Sequence, residues 1–266
     1  MSGFEYYGFQ KIGRPLSQEE IKEVGALSSR GLVTPHSARF LYNYGSFKHD
    51  SKTVLLDYFD VFLFVSSYST KSISFKLPSH LVDLINHSLN HSPSGDHLSN
   101  HSRMPFYKFG GVIEISHHKE HTVITCEFEE EGTWQEEDEI DSVIAMLASL
   151  RQDLLTGDTR ILYLTWIAAS ERGVAIPFEK IAVPNNLKAL TPAMEVFCSF
   201  FGIQQSSVDL HAAKSPRNSD NNSNNDDSYS IEKLSSEEKD YFLIRFLRDE
   251  PDTLAEMKLK MMNKKV

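Results

Sequence analysis

Residues 57–68 have the sequence DYFDVFLFVSSY, and their apolar pattern is that of a strand in the middle of a β-sheet. Both alternating sides are apolar, with Val61, Leu63 and Val65 on one side and Phe62 and Phe64 on the other. A strand with one face in water alternates apolar with polar residues instead. The pattern therefore predicts a strand that is covered on both faces.

The segments next to this strand predict a helix before it and a second strand after it. Upstream, the apolar residues at 54, 55, 58 and 59 share one helical face, and Asp50 or Ser51 is placed to cap the helix. Downstream, Ile73, Phe75 and Leu77 alternate with polar residues, as in a strand with one wet face. We expect these elements to form the organising unit of the fold.

The other N-terminal segments add to this unit. Strands are predicted over residues 4–12 and 39–44, together with a hairpin over residues 112–128. Ser17 and Glu20 have the spacing of a capping box, in which each side chain accepts a hydrogen bond from the other residue's backbone N–H at the start of a helix. The predicted fold class is α+β, with a mixed or antiparallel sheet and packed helices in the N-terminal half.

The C-terminal half is predicted to be helical. Apolar residues between Ile140 and Leu154 form one stripe of an amphipathic helix, and further helices are expected over residues 162–171 and 187–201. Residues 214–230 hold almost nothing apolar, so they bury too little surface to offset the entropy of ordering. The predicted organisation is a sheet-containing part at 1–135, a helical part packed on it at 136–213, a disordered linker at 214–230 and a helical tail at 231–266.

Charge and composition narrow the functional classes. The net charge of −10 and the pI near 5.6 disfavour broad contact with a phosphate backbone, so we expect no direct nucleic-acid binding. No apolar stretch reaches the ~18 residues that span a bilayer, and the N-terminus lacks the basic and apolar regions of a secretory signal. Together with the presence of only two cysteines, these features predict a cytoplasmic protein.

Several segments resemble an uncharacterised bacterial protein family. They are Glu5-Tyr6-Tyr7, Arg14-Pro15-Leu16-Ser17, Tyr58-Phe59-Asp60-Val61-Phe62-Leu63 and Ser236-Glu237-Glu238-Lys239-Asp240. The family resembles this chain in opening Glu-Tyr-Tyr-Glu-Phe and in a central Tyr-Phe-Asp-Ala-Phe-Leu-Tyr, although Gly8 and Gly13 stand where acids are expected. The resemblance implies full-length relatedness and no assigned chemistry. A looser association, with accessory proteins of type III-E CRISPR loci, implies a role in antiviral defence.

Two pairs of histidines are the first candidate site. His87 and His91, like His97 and His101, have the i, i+4 spacing that places two imidazoles on one helical face, within reach of a transition metal. The proline, serine and glycine at 93–95 favour a loop instead. We therefore expect a polar loop and no resident metal, with adventitious zinc or nickel binding as the alternative.

The acidic residues between 127 and 141 are the second candidate site. They could stabilise the start of the following helix through its dipole, coordinate magnesium, or form a docking surface for a basic partner with Trp134 as an aromatic anchor. The residues of this loop that we predict to contact a partner are Trp134, Glu129, Glu130 and Glu131.

The helical tail is the third candidate site. Ser235 and Glu238 predict a second capping box, and the following residues carry an apolar face at 242, 243, 246 and 247. Such a face either folds back on the core, associates with a second copy or docks in a groove of another protein. Phe242 and Phe246 are the tail residues that we predict to contact a partner.

No catalytic motif stands out. Asp57 and Asp60 could act as paired carboxylates, but a capping or turn role is the simpler interpretation, and Cys126 lies in a predicted strand, as a packed cysteine would. We therefore predict a non-enzymatic cytoplasmic protein-interaction protein, adaptor or regulatory, that binds a protein partner and uses no cofactor. The alternative is a metal-dependent hydrolase or nuclease that uses the His-rich or acidic loop.

Overall fold

The computed structural model describes residues 4–67, 70–80, 82, 112–129, 137–172, 183–213, 231–248, 250 and 252–263. The strands are β1 Glu5–Gln10, β2 Gly31–Val33, β3 Ser37–Tyr42, β4 Val61–Ser66, β5 Thr70–Pro78, β6 Val112–His118 and β7 His121–Glu129. The helices are α1 Gln18–Ala26, α2 Ser51–Tyr58, α3 Glu137–Leu147, α4 Leu150–Leu155, α5 Arg160–Glu171, α6 Pro192–Phe200, α7 Gln205–Ala212, α8 Ser236–Leu247 and α9 Thr253–Asn263.

The strands form one seven-stranded sheet in the order β2-β3-β1-β4-β5-β7-β6. Every neighbouring pair is antiparallel, and β4 occupies the middle position. All strands lie within residues 5–129, and the described residues that follow are helical or irregular. The predicted α+β class, with an antiparallel sheet in the N-terminal half, is confirmed.

Strand β4 is covered on both faces, as its sequence predicts. On one face Val61, Leu63 and Val65 join the main core cluster, which takes in apolar residues of α3 to α7 and α9. On the other face Phe62 joins a second cluster with α1 and α2, and the half-buried Phe64 packs against it. The sheet therefore lies between two layers of helices, the larger of which is C-terminal.

Three helix starts have the caps that the sequence predicts. Both capping boxes are present, with Ser17 and Glu20 at α1 and Ser235 and Glu238 at α8. The carboxylate of Asp50 accepts hydrogen bonds from two backbone N–H groups of the first turn of α2. These caps satisfy amides that have no partner within the helix, which is why such short-range patterns mark helix starts reliably.

Other boundaries differ from the sequence-based predictions. The stripe between Ile140 and Leu154 is divided between α3 and α4, which are separated by a turn at 148–149. The helix expected from residue 187 begins at Pro192, because Thr191 caps it and a proline is tolerated in a first helical turn, where its missing N–H would have no partner. Strand β2 and helix α7 were not predicted, since each is short and carries little periodic apolar pattern.

Several predicted features lie outside the described residues. They are the linker at 214–230, the His-rich loop with His87, His91, His97 and His101, and the loop residues Glu130, Glu131 and Trp134. Within the described part of the chain, no helix combines the length and the apolar character needed to cross a membrane.

Candidate functional site

The C-terminal helices α8 and α9 pack on each other through a small apolar cluster of their own. The ring of Phe242 is only 1% exposed and is buried with Leu234 and Met261, while the partly buried Met257 packs against them. An ion pair between Lys260 and Glu238, at 3.3 Å, links the same two helices. One face of α8 is therefore used inside the chain.

This burial corrects one sequence-based prediction. Phe242 was expected to offer its ring to a partner, but its apolar surface is already covered by methionines of α9. The correction has a simple physical cause: a helix with apolar residues on more than one side buries one side first, and the sequence of α8 alone cannot say which side α9 will cover.

The pair of helices is anchored to the main body through α9 and the turn before it. Ala255 and Leu259 of α9 belong to the main core cluster. In the turn before α9, the carboxylate of Asp252 accepts two hydrogen bonds from the guanidinium of Arg151 on α4, at 2.6 and 3.0 Å. Both groups are largely buried, so this contact holds the tail in a defined position.

The remaining apolar side chains of α8 lie on the surface, beginning with Phe246, one turn after Phe242, and continuing round the helix away from it. We call the four residues Leu243, Ile244, Phe246 and Leu247 the outer face of α8, and they are 58, 47, 41 and 79% exposed. In the described residues, eleven large hydrophobic side chains are exposed, and five of them lie on this helix. Scattered exposed leucines need no explanation, but a cluster of large apolar side chains on one helix does, and we take this face as the candidate site.

Exposed charges border the outer face at both ends. Glu237 and Asp240 lie in the first half of α8, and Arg248 follows its last residue with a side chain that is 71% exposed. Arg245 has a different role, because it donates to Glu250 at 2.8 Å and also bonds Glu256 of α9. Lys239, between the two acids, is also exposed, and Glu250 lies 3.9 Å from Arg248, so each end of the face carries both signs of charge.

The acidic segment is described only in part. Glu129 is the last residue of β7 and its backbone pairs with Thr70, while Glu130, Glu131 and Trp134 lie outside the described residues. Asp141, at the end of the acidic run, accepts a hydrogen bond from the Tyr6 hydroxyl at 2.5 Å and pairs with Arg39. Asp141 therefore links α3 to the sheet through a contact with a residue 135 positions away in sequence.

Asp57 and Asp60 lie in different environments. Asp57 is exposed, whereas Asp60 is buried and accepts a hydrogen bond from the backbone N–H of Ile12 at 2.8 Å. Two lysines face the Asp60 carboxylate, with Lys11 at 3.6 Å and Lys76 at 3.7 Å. Because β1, β4 and β5 are adjacent, this cluster joins the ends of three strands.

Burial dominates the titration of the interior groups. It lowers the pKa of Lys76 to about 8, although the nearby Asp60 acts in the opposite direction. It raises the pKa of the Cys126 thiol to about 12, which disfavours the thiolate that a nucleophile would need. Within the described ranges, no three His, Cys, Asp or Glu side chains converge as a metal-binding group.

No protein-family model matches the chain, and no curated protein or solved structure is significantly similar to it.

The structure exposes some of the tail residues predicted from the sequence to contact a partner and buries another. Of the predicted contact residues, Phe246 lies on the outer face and Phe242 does not. Ile244 was missed, although Glu237, Ile244 and Arg248 follow the i, i+7, i+11 spacing of one helical row and could have indicated a second exposed edge.

Proposed function

We propose that this protein is a non-enzymatic, cytoplasmic protein-interaction protein, adaptor or regulatory in role, and that the outer face of α8 is its docking surface. The observation that carries the proposal is the exposure of Leu243, Ile244, Phe246 and Leu247 on one helix. Burying apolar surface against a partner contributes roughly 25 cal/mol per Å². A partner with an apolar groove or a helix face would gain that contribution here.

The support beneath α8 favours docking with little loss of entropy. Phe242 holds the inner side of the helix, and the contact between Arg151 and Asp252 holds the turn that follows it. Since the helix is already formed and packed, a partner need not order it on binding. A rigid helix with anchored inner residues and apolar outer residues is a suitable docking element.

The acidic loop is proposed as a second contact, on the basis of its sequence. Glu129, Glu130 and Glu131 would attract a basic partner over several ångströms, and Trp134 would enter a pocket on it. The net charge of −10 makes a protein with a basic surface a better partner than nucleic acid. Because of the looser resemblance to accessory proteins of type III-E CRISPR loci, the products of neighbouring genes are the first partners to test.

The test is a quantitative pull-down with three forms of the full chain. These are the wild type, Leu243→Asp/Leu247→Asp, and Leu210→Asp as a matched control for an exposed leucine on α7, which is 62% exposed. We expect the same proteins to bind the wild type and the control and to be lost from the α8 variant, while all three forms keep the same melting temperature. Equal capture by all three forms would contradict the proposal.

A second measurement separates the proposal from the alternative of a metal-dependent hydrolase or nuclease. Metal-stripped protein is supplied with zinc, manganese or magnesium and assayed on generic ester, phosphoester and nucleic-acid substrates. Turnover that appears with one metal, and is lost when His87 and His91 are replaced by alanine, would overturn the non-enzymatic part of the proposal.

A further inference from the structure

We propose that helices α8 and α9, which we call the tail unit, open from the rest of the protein as one cooperative unit, and that the contact between Arg151 and Asp252 holds them closed. The open form is a small fraction of the molecules under native conditions. This inference concerns how the tail is held and not what it binds, so it stands or falls independently of the proposed function.

The tail unit has buried contacts of its own. Phe242 of α8 packs with Met261 of α9 in a cluster whose members all lie within residues 234–261. Arg245 of α8 also pairs with Glu256 of α9, and both side chains are largely buried. Among the described residues, α8 contributes no side chain to the main core cluster. Helix α8 therefore depends on α9 for its place in the protein.

The tail unit is attached to the rest of the protein through one side of α9. Ala255 and Leu259 are four residues apart, so they lie on the same side of the helix, and they are 0 and 1% exposed. In the described part of the chain, these two are the tail residues that belong to the main core cluster. The contact of His80 with Glu256, at 3.9 Å, involves an exposed histidine and contributes little. The apolar attachment is thus small.

The contact between Arg151 and Asp252 is the strongest polar part of this attachment. Two hydrogen bonds, at 2.6 and 3.0 Å, join the largely buried guanidinium and carboxylate groups. Asp252 has a φ of 62°, a left-handed conformation that costs free energy for a residue other than glycine. The bonds from Arg151 help to hold the turn in that conformation, so their loss should weaken the docking of α9.

Opening of the tail unit should be cooperative and should leave the sheet folded. Helices α8 and α9 are 12 and 11 residues long, and isolated helices shorter than ~12–15 residues are marginal in water. Once α9 leaves the rest of the protein, both helices therefore lose protection together. The sheet keeps the second core cluster and nearly all of the main one. Elements with few buried contacts to the core are those that open first.

Native-state hydrogen exchange of the full chain, resolved by residue, tests this inference. After correction for intrinsic rates, we expect the slowest amides of α8 and α9 to report one common opening free energy. They should exchange roughly 100-fold or more faster than the slowest amides of β4, which require global unfolding. Tail amides as slow as those of β4, or different opening free energies for α8 and α9, would overturn the inference.

Two variants separate opening of the tail unit from global unfolding. Asp252→Asn keeps the shape of the side chain and weakens the contact with Arg151, so tail exchange should become roughly ten-fold faster. Phe64 packs on the face of the sheet opposite the tail. Phe64→Ala should therefore speed exchange of the slowest sheet amides and leave the tail rates unchanged, because the sheet stays folded when the tail opens.

The matched control is Glu114→Gln, the same kind of change at the exposed pair with Lys52, and it should alter tail exchange little. Tail rates that rise with Phe64→Ala as much as the sheet rates would show that the tail opens only on global unfolding, which would overturn the inference. Tail exchange in Asp252→Asn no faster than in the control would overturn the role of the contact with Arg151.

Discussion

Arg151 binds Asp252 through both terminal nitrogens of its guanidinium group, across 101 residues of sequence. The same side chain donates from Nε to the backbone carbonyl of Lys76 on β5 at 2.7 Å. One arginine on α4 thus connects the sheet with the turn that leads into α9. The position of α8, and of its outer face, depends on this connection.

We therefore expect Arg151→Ala to destabilise the protein by about 3–5 kcal/mol, since it leaves the largely buried Asp252 carboxylate without its partner. The double variant Arg151→Met/Asp252→Asn should lose less stability than Arg151→Ala, because it leaves no charge unpaired. The matched control is the exposed pair of Lys52 and Glu114, whose removal should cost under about 1 kcal/mol. Urea unfolding measures all of these changes, and a loss from Arg151→Ala no larger than the control would contradict the role given to this contact.

Gly8 is expected to be intolerant of a side chain. A Cβ at this position would lie 2.6 Å from Cε1 of Tyr6, whose ring is buried and whose hydroxyl bonds Asp141. Gly8→Ala should therefore cost about 1–3 kcal/mol, the usual range for overpacking. Gly25 of α1 has open space around its Cβ position, so Gly25→Ala should instead stabilise by about 0.5–1 kcal/mol. If both substitutions change the free energy of unfolding in the same direction in chemical denaturation, the packing argument at Gly8 is wrong.

The two aromatic residues of β4 should differ in importance. Phe62 is 8% exposed, and we expect Phe62→Ala to cost about 3–5 kcal/mol in unfolding free energy. Phe64 is half-buried, so less of its apolar surface is lost on truncation and Phe64→Ala should cost less. Denaturation midpoints of the two variants test this order. A larger loss of stability from Phe64→Ala than from Phe62→Ala would contradict it.

The lowered pKa of Lys76 should make the protein more stable as the pH rises through the alkaline range. Because burial lowers its pKa from 10.5 to about 8, the folded protein releases this proton at a lower pH than the unfolded chain does. Between about pH 8 and pH 10.5 the unfolded state then holds more protons, and this group makes the protein more stable as pH rises. We expect the unfolding free energy of the wild type to rise relative to that of Lys76→Met over this window. Parallel curves for the two proteins would mean that Lys76 titrates normally.

The acidic loop and its tryptophan should affect binding in different ways. Replacing Glu129, Glu130 and Glu131 by Gln should lower the association rate of a captured partner, and the effect should shrink as salt rises, since exposed charges are screened within ~8–10 Å. Trp134→Ala should mainly raise the dissociation rate, with a loss of about 2–4 kcal/mol if the ring is a hot spot. Surface plasmon resonance separates the two rates. If both variants bind with wild-type rates, the loop does not contact the partner and its acids serve only the start of the following helix.

The candidate site could be predicted only in part from the sequence. The tail was recognised as an amphipathic helix with a capping box, and Phe246, which was predicted to contact a partner, is exposed. Its companion Phe242 was misplaced, since a helical pattern shows which residues share a side and not which side a distant helix will cover. The buried position of Asp60 between two lysines was missed for the same reason, because Lys11 follows β1 and Lys76 lies in β5, both distant in sequence from Asp60.

Elements that depend on neighbours in sequence could be read directly: the doubly covered strand β4, the caps of α1, α2 and α8, and the α+β class. Their causes are periodicity and local hydrogen bonds, which operate over a few residues. Tertiary packing decided the strand order and the layer that each helix joins. It also decided the ion pair between Arg151 and Asp252 and which side of α8 is exposed. These features depend on which apolar surfaces cover one another. Many pairings of surfaces are compatible with the same local patterns, so the patterns alone do not select one of them.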